Sequence, residues 1–336
     1  MNTFDSIIIG AGPAGLKAAD TLANFNRKVL LIDTDAKIGG KLNLWDRLFP
    51  DFSSSQELLN QLSKNINNEN VTLKLNTNII SIKNNDNHWM ATDSNGNTFY
   101  ATTMIIATGF DVFDAHRKEE YGYGIYKNVI TSVDLEKILS GEVSIETPSK
   151  VAFIQCVGSR DEKVGNNFCS KNCCICAVKQ TIELKEKFPL TDIYCFYMDL
   201  RMFGQSYEEL YRRSQQDYGV NFVRGRVSEI SPTMDNKVVL KAEDTLLSRP
   251  LKLTADLVVL MVGMEASKGT KILGNQLNIN NTDGFVKSTD RYLSDSETTL
   301  KGLFVTGTSK RQMSIPETMN DAVNAAVIVN NFLNTL

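Results

Sequence analysis

The 336 residues are 42% hydrophobic and 22% charged, a balance that supports large buried cores and excludes a disordered chain. A formal net charge of −3 leaves no basic excess for a phosphate backbone or an acidic membrane surface, which argues against nucleic acid as a partner. No apolar run reaches the roughly 18–20 residues that cross a bilayer, and a first strand beginning almost at Met1 is expected to leave no room for a signal peptide.

The first predicted element is an apolar strand, Ser6 to Gly10. It runs into Gly10-Ala11-Gly12-Pro13-Ala14-Gly15, which opens a helix and so has the strand-turn-helix context of the G-x-G-x-x-G dinucleotide fingerprint. Gly10 permits the tight turn, Gly12 admits a pyrophosphate to the backbone, and Gly15 lets the helix pack closely on the strand. The unpaired amides of the helix N-terminus then face the phosphates. The next strand, Val29 to Ile32, ends on Asp33 and Thr34, where a carboxylate accepts from the adenosine ribose hydroxyls. Gly39-Gly40-Lys41 follows, a second glycine turn placed as in FAD sites.

A polar connection and short alternating strands come next. Trp89 to Thr92 and Thr98 to Thr102 flank Asn95 and Gly96, the chemistry of a hairpin. The apolar strand Met104 to Ala107 then leads into Ala107-Thr108-Gly109. A second strand-helix-strand unit is predicted from Val151 to Gln155, a helix from about Lys171 to Lys187, and Asp192 to Tyr197, with further strands at Val220 to Arg224, Val238 to Ala242 and Leu257 to Val262. Gly302 to Thr306 is a short strand before Gly307-Thr308, and Met313-Ser314-Ile315 precedes a last helix from Pro316 to about Leu333. The domains implied are a FAD-binding domain in two parts, 1–147 and 263–336, around a nucleotide-domain-like segment, 148–262.

All six cysteines lie between residues 156 and 195, and five fall within Cys156 to Cys176. Such clustering points to metal or redox chemistry rather than a disulfide framework. Cys156 stands where the second unit's first fingerprint glycine belongs and only Gly158 remains in that turn, so no pyrophosphate approach is provided. Cys169, Cys173, Cys174 and Cys176 follow near the start of the next helix. The pocket reads as rebuilt for a soft metal. An iron-sulfur cluster is favoured because it gives flavin electrons an exit; zinc and a Cys173/Cys176 dithiol remain alternatives.

The Gly10, Ala107 and Gly302 motifs together resemble the pyridine-nucleotide-disulfide-reductase superfamily. That resemblance implies an α/β fold of two dinucleotide-binding, Rossmann-like domains of the thioredoxin-reductase type, the second converted to an iron-sulfur site. Thr308 departs from the aspartate common at its position. The runs Val151 to Lys163, Phe168 to Cys174, Tyr207 to Arg213 and Val223 to Glu229, with Ala107 to Asp111, Glu120 to Gly124 and Asn128 to Thr131, resemble the A subunit of heterodisulfide reductase. The likeness is strongest to the A subunit of the heterodisulfide-reductase-like complex of cytoplasmic sulfur oxidation, with the A subunit of the quinone-interacting oxidoreductase as competitor. It implies an FAD-dependent electron-transfer subunit in the cytoplasm, with a 4Fe-4S cluster on Cys156, Cys169, Cys173 and Cys174. Lys179 is expected to approach the reactive flavin nitrogen as the catalytic group. Ile79, Ser314 and Ile315 are expected among the FAD contacts, while Cys176 and Cys195 are expected to be packing residues. Implied partners are the B and C subunits of such a complex, a lipoate-binding protein and a second copy of the chain. Leu48-Phe49-Pro50 also fits the family, although Ser53, Ser54 and Ser55 stand where methanogen proteins have cysteines. His88 and His116 lie in no motif.

Overall fold

The computed structural model describes residues 3–85 and 88–336. In chain order the elements begin β1 Thr3–Ile9, α1 Pro13–Asn24, β2 Val29–Ile32, α2 Ser55–Asn65, β3 Val71–Lys74, β4 Ile79–Asn85, β5 His88–Asp93, β6 Thr98–Ile106, β7 Phe110–Val112, β8 Val129–Thr131 and α3 Ser132–Leu139. They continue with β9 Lys150–Val157, α4 Cys173–Lys187, β10 Asp192–Tyr197, α5 Tyr207–Gln216, β11 Asn221–Arg224, β12 Val227–Pro232, β13 Val238–Asp244, β14 Arg249–Ala255 and β15 Leu257–Val262. The last are β16 Met264–Ala266, α6 Lys268–Gln276, β17 Leu303–Val305 and α7 Ile315–Asn334. No helix among the described residues is long and apolar enough to cross a membrane.

Two compact units result. The first takes Met1–Asn43, Ser55–Asp111 and Glu265–Leu336; the second takes Leu44–Ser54 and Val112–Met264. The first unit is built on the strand order β3-β2-β1-β6-β5-β4, with β17 also on β6. Its centre is apolar on both faces, as a parallel sheet covered by helices must be: Ile7, Ile8, Leu30, Leu31, Met104, Ile105 and Ile106 have no exposed surface. The long β6 joins two kinds of pairing. Its first half is antiparallel to β5 through Trp89↔Ala101 to Thr92↔Thr98, the expected hairpin, and its second half runs parallel to β1 and β17. The hairpin strand and the apolar strand before Ala107 are therefore one element. Helix α1 starts with Pro13 at its first turn, where the missing N–H costs nothing.

The second unit holds the parallel sheet β11-β10-β9-β15-β8 and the antiparallel sheet β12-β13-β14. Its start differs from the expected boundary at 147. β8 and α3 belong here because β8 lies parallel beside β15, with Val129 opposite Val258. Helix α4 begins at Cys173 rather than Lys171, whose φ of 67° is left-handed and cannot continue a helix.

Candidate functional site

In the first unit the fingerprint turn is shaped by what its glycines lack. Gly10 has φ of 112°, and a Cβ there would lie 2.3 Å from the Ala107 carbonyl oxygen. A Cβ on Gly15 would lie 1.8 Å from the Gly10 carbonyl oxygen, so the first turn of α1 sits directly on the strand end. Gly12 faces nothing within 4 Å. The turn is thus tight at both flanks and open in the middle, the shape a pyrophosphate needs to reach the α1 amides. Asp33 is tied to this turn: its Oδ2 accepts from Ala11 N–H and its Oδ1 from Asp35 N–H at 2.9 Å. A carboxylate can accept up to about four hydrogen bonds, so capacity for ribose hydroxyls remains. Thr34 is exposed beside it.

The second glycine turn closes on the first. Gly39 N–H donates to Ala11 O at 2.8 Å, and a Cβ on Gly40 would lie 3.2 Å from Gly12 Cα. Lys41 Nζ pairs with Asp111 at 3.3 Å. Pro13 and Ala14 form the first turn of α1, where Ala14 Cβ would be 2.7 Å from a Cβ on Gly307. The Thr108-Gly109 and Gly307-Thr308 segments also meet: Gly109 N–H donates to Ser309 Oγ at 2.8 Å, and Thr270 Oγ1 lies 2.7 Å from Thr108 Oγ1. Ser314 caps α7 through a box with Glu317, leaving Ile315 as the first helical residue. The residues expected around FAD all belong to the first unit except Lys179, and Ile79 among them is a buried member of that unit's sheet core. Sequence reasoning missed Asp321, whose Oδ2 accepts from Gly307 N–H at 2.7 Å and Thr306 Oγ1 at 2.8 Å. Buried Lys310 neutralises it at 2.6 Å. A lone acid mid-helix gave no signal, because its partners lie 14 and 15 residues earlier in a different motif.

In the second unit the thiols lie on the end of β9, the following loop and the first turn of α4. A bulge in β9 against β15 puts Cys156 at φ of 61°; bulges re-aim a side chain at the end of a strand. The loop after it is braced. Arg160 N–H donates to Phe168 O at 2.9 Å, Asp161 N–H to Asn166 O at 2.8 Å, and Ser159 Oγ bonds Ser170 Oγ. Buried Asp161 takes Lys118 at 2.6 Å and Arg226 at 2.9 Å. Cys169 Sγ accepts from Lys171 N–H at 3.3 Å, and Cys174 S–H donates to Asp199 O at 3.7 Å. Cys156, Cys173 and Cys174 are buried.

Burial, with the other thiols nearby, pushes Cys156 up to about 11 and Cys173 well above the ordinary thiol range; burial also raises Cys174. The four sulfurs are near enough to repel one another as anions, and a cation is what would hold them as thiolates together. Their chemistry fits a soft-metal centre. Among the described residues, however, no three side chains already stand at ligand distance from one point, so the geometry is not preformed. Cys195 has no exposed surface and accepts from Gln155 Nε2 at 3.5 Å; Cys176 packs in the same apolar cluster as Cys195.

Lys179 is 1% exposed. Its Nζ donates to Glu136 Oε1 at 2.7 Å and Arg47 O at 2.9 Å, with Glu183 Oε2 at 3.0 Å. Burial alone would lower its pKa, but the two carboxylates outweigh that and raise it. The ammonium expected at the flavin ring is thus engaged by three oxygens of its own unit. Glu136 and Glu183 carried no sequence signal, since acids on amphipathic helices usually face water.

Residues 4–152 match the pyridine nucleotide-disulphide oxidoreductase family. The chain is similar to the A subunit of the H(2)/formate:CoB-CoM heterodisulfide,ferredoxin reductase of Methanococcus maripaludis, 41% identical over 239 residues, which are 68% of this chain and 36% of that protein. It is also similar to the iron-sulfur A subunit of the CoB-CoM heterodisulfide reductase of Methanocaldococcus jannaschii, 42% identical over 242 residues, with the same shares of 68% and 36%. The chain spans about a third of the length of these curated relatives. Among solved structures it is similar to thioredoxin reductase of Lactococcus lactis, with a TM-score of 0.73 at 18% identity, covering 99% of this chain and 100% of that one. That likeness shows the fold: two dinucleotide-binding-type units of the thioredoxin-reductase kind.

Proposed function

Because the chain belongs, through that shared segment, to the family of heterodisulfide reductase A subunits, we propose that it is an FAD- and 4Fe-4S-containing electron-transfer component of a heterodisulfide-reductase-like complex. The observation that carries this reading is the pairing of an open glycine turn in one unit with four cysteines in the other that are close enough to raise one another's pKa. In the first unit Gly10, Gly12, Gly15 and Asp33, with Gly39, Gly40, Thr108, Gly109, Gly307 and Thr308, would hold FAD. In the second, Cys156, Cys169, Cys173 and Cys174 would ligate the cluster. FAD supplies electron pairs and the cluster single electrons. The chain's own residues position these groups, and the loop braced by Lys118 and Asp161 fixes where two of the sulfurs sit.

The dithiol alternative is weaker, because Cys173 and Cys176 are held in apolar packing and a redox dithiol needs an accessible thiolate. Direct use of NAD(P)H is disfavoured as well: Cys156 and the single Gly158 replace the glycines that a second pyrophosphate would approach. We place the complex in cytoplasmic sulfur oxidation, with B and C subunits, a lipoate-binding protein and a second copy of this chain as partners; the quinone-interacting type is the runner-up. The cluster draws support from the Methanocaldococcus jannaschii relative, which is named for its iron-sulfur content. Lys179 is the proposed flavin-facing group, acting together with Glu136. The test is anaerobic purification with flavin, iron, sulfide and zinc quantified together. About one FAD and about four iron atoms per chain are expected; zinc in place of iron, or flavin without either metal, overturns the reading.

A further inference from the structure

Helix α4 carries an unusual load for a buried helix. Lys179, Gln180 and Glu183 all lie inside the second unit, and Gln180 Nε2 donates to Glu136 Oε1 at 2.7 Å, the same oxygen that takes Lys179. Glu136 is thereby fully engaged. Glu183 is not. It is 5% exposed, yet neither carboxyl oxygen makes a hydrogen bond. Its ion-pair partner is Lys179, whose Nζ stands 3.0 Å from Oε2 and is shared with Glu136. An ionised carboxylate in that state is costly and its protonated form is favoured.

Glu183 also lines a cavity of about 190 Å³ bounded by Asp46, Arg47, Leu139, Glu186 and Lys187. Arg47 and Glu186 are half-exposed, so the cavity reaches solvent. It has room for several waters, each needing roughly 30 Å³. The groups facing Glu183 are Lys179 and Cys176 from its own helix, Glu136 from α3 and Arg47 from the 44–54 segment; Asp46, Glu186 and Lys187 stand around the cavity. Burial first, and then Glu136, push Glu183 up to about 7 against the pull of Lys179 and Arg47.

We propose that Glu183 is a proton-loading site, which takes a proton from water in this cavity when an electron enters a redox centre at the thiol-bearing end of α4. The inference rests on the cofactor reading above. A low-potential one-electron donor supplies the electron; the centre is reduced by one electron, and one proton from bulk water converts the Glu183 carboxylate to the acid. Oxidation reverses both, so the unit's net charge is unchanged through the cycle. Glu183 lies nine positions after Cys174 on α4, about 13–14 Å of helix rise. Across a dry interior, charge added at one end is felt at the other. Glu183 is the member of the cluster that both shares the Lys179 ammonium and lines the cavity.

Two readouts test this in the purified protein. Infrared difference titration should show one carboxyl group protonating near neutrality, absent in Glu183→Gln and restored in Glu183→Asp. The midpoint potential of the bound redox group should fall as pH rises through neutrality, and that dependence should vanish in Glu183→Gln with flavin and iron content unchanged. A band that persists in Glu183→Gln, a parent without such a band, or identical pH dependence in parent and variant overturns the proposal. A parent lacking iron and flavin sinks the cofactor reading and the coupling with it. The infrared titration needs neither group, so it separates that case from a failure of Glu183 alone.

Discussion

The turns after β1 and after β9 occupy equivalent places, each at the end of an inner strand with a parallel neighbour on either side, and they solve opposite problems. After β1 side chains are removed: Gly10 and Gly15 bring backbone onto backbone and Gly12 leaves space where a polyanion can meet amide dipoles. After β9 a side chain is added, since a bulge at φ of 61° places Cys156 where the other turn has glycine. The amides of a helix start lie beside each turn, but only one turn leaves them open ground. The two strand ends thus differ in one position, glycine after β1 and a bulged cysteine after β9.

The sharpest way to break this comparison is Cys156→Ser. Iron should drop from about four atoms per chain to near none while FAD content stays that of the parent. Full iron in the variant would mean that the bulge is only a packing feature. A pair of glycine variants tests the other turn. Gly10→Ala should cost on the order of 2–4 kcal/mol in chemical unfolding, because its φ is left-handed and its Cβ would meet Ala107 backbone. Gly12→Ala should cost less than about 1 kcal/mol, yet weaken FAD binding to the apoprotein roughly tenfold or more. If both variants bind FAD as the parent does, the space at Gly12 is not the pyrophosphate site.

The smallest effects are in pH dependence, where the units should respond to acid in opposite directions. Glu183 in the second unit is raised from 4.5 to about 7, chiefly by burial. Its stability contribution is therefore complete below pH ~4.5 and is lost as pH rises toward 7, roughly 3 kcal/mol relative to Glu183→Gln. Asp295 in the first unit is lowered from 3.8 to about 2: burial opposes the shift, but hydrogen bonds from Arg311 and Lys310 prevail. Its contribution is present above pH ~3.8 and fades as pH falls through 2, about 1–2 kcal/mol once screening by solvent is allowed for. Each unit carries one tryptophan, Trp45 in the second and Trp89 in the first. Trp45→Phe and Trp89→Phe variants therefore report unfolding of one unit at a time. Parallel pH profiles from the two would remove the asymmetry.

The elements carried by local pattern were legible in the sequence. The glycine turn, the 89–102 hairpin and helix α7 needed only periodicity and turn chemistry, although the hairpin register, Thr92 opposite Thr98, is that of a longer loop closed by Asp93 N–H on Asn97 O rather than of a two-residue Asn-Gly turn. What was not legible depends on partners far along the chain. β8 is three residues with no period to read, and its neighbour β15 lies more than a hundred residues later. The contacts of Gly109 with Ser309 and of Gly307 with Asp321 join motifs that sequence inspection treats separately. Lys179 was marked only by the family resemblance, and Glu136 and Glu183 look like the solvated faces of two ordinary helices. They become a buried cluster because α4 is covered by apolar packing on two sides.

The division of the first unit into three stretches of chain sets an order on synthesis. Its sheet takes up β17 beside β6 only after roughly two hundred intervening residues have been made, and such distant pairings form late and slowly. Everything the second unit needs, including its early excursion at 44–54, has by then left the ribosome. Domains tend to fold as units while the chain emerges. The cysteine-bearing unit can therefore be complete while the unit with the glycine turn still lacks its last strand and helix.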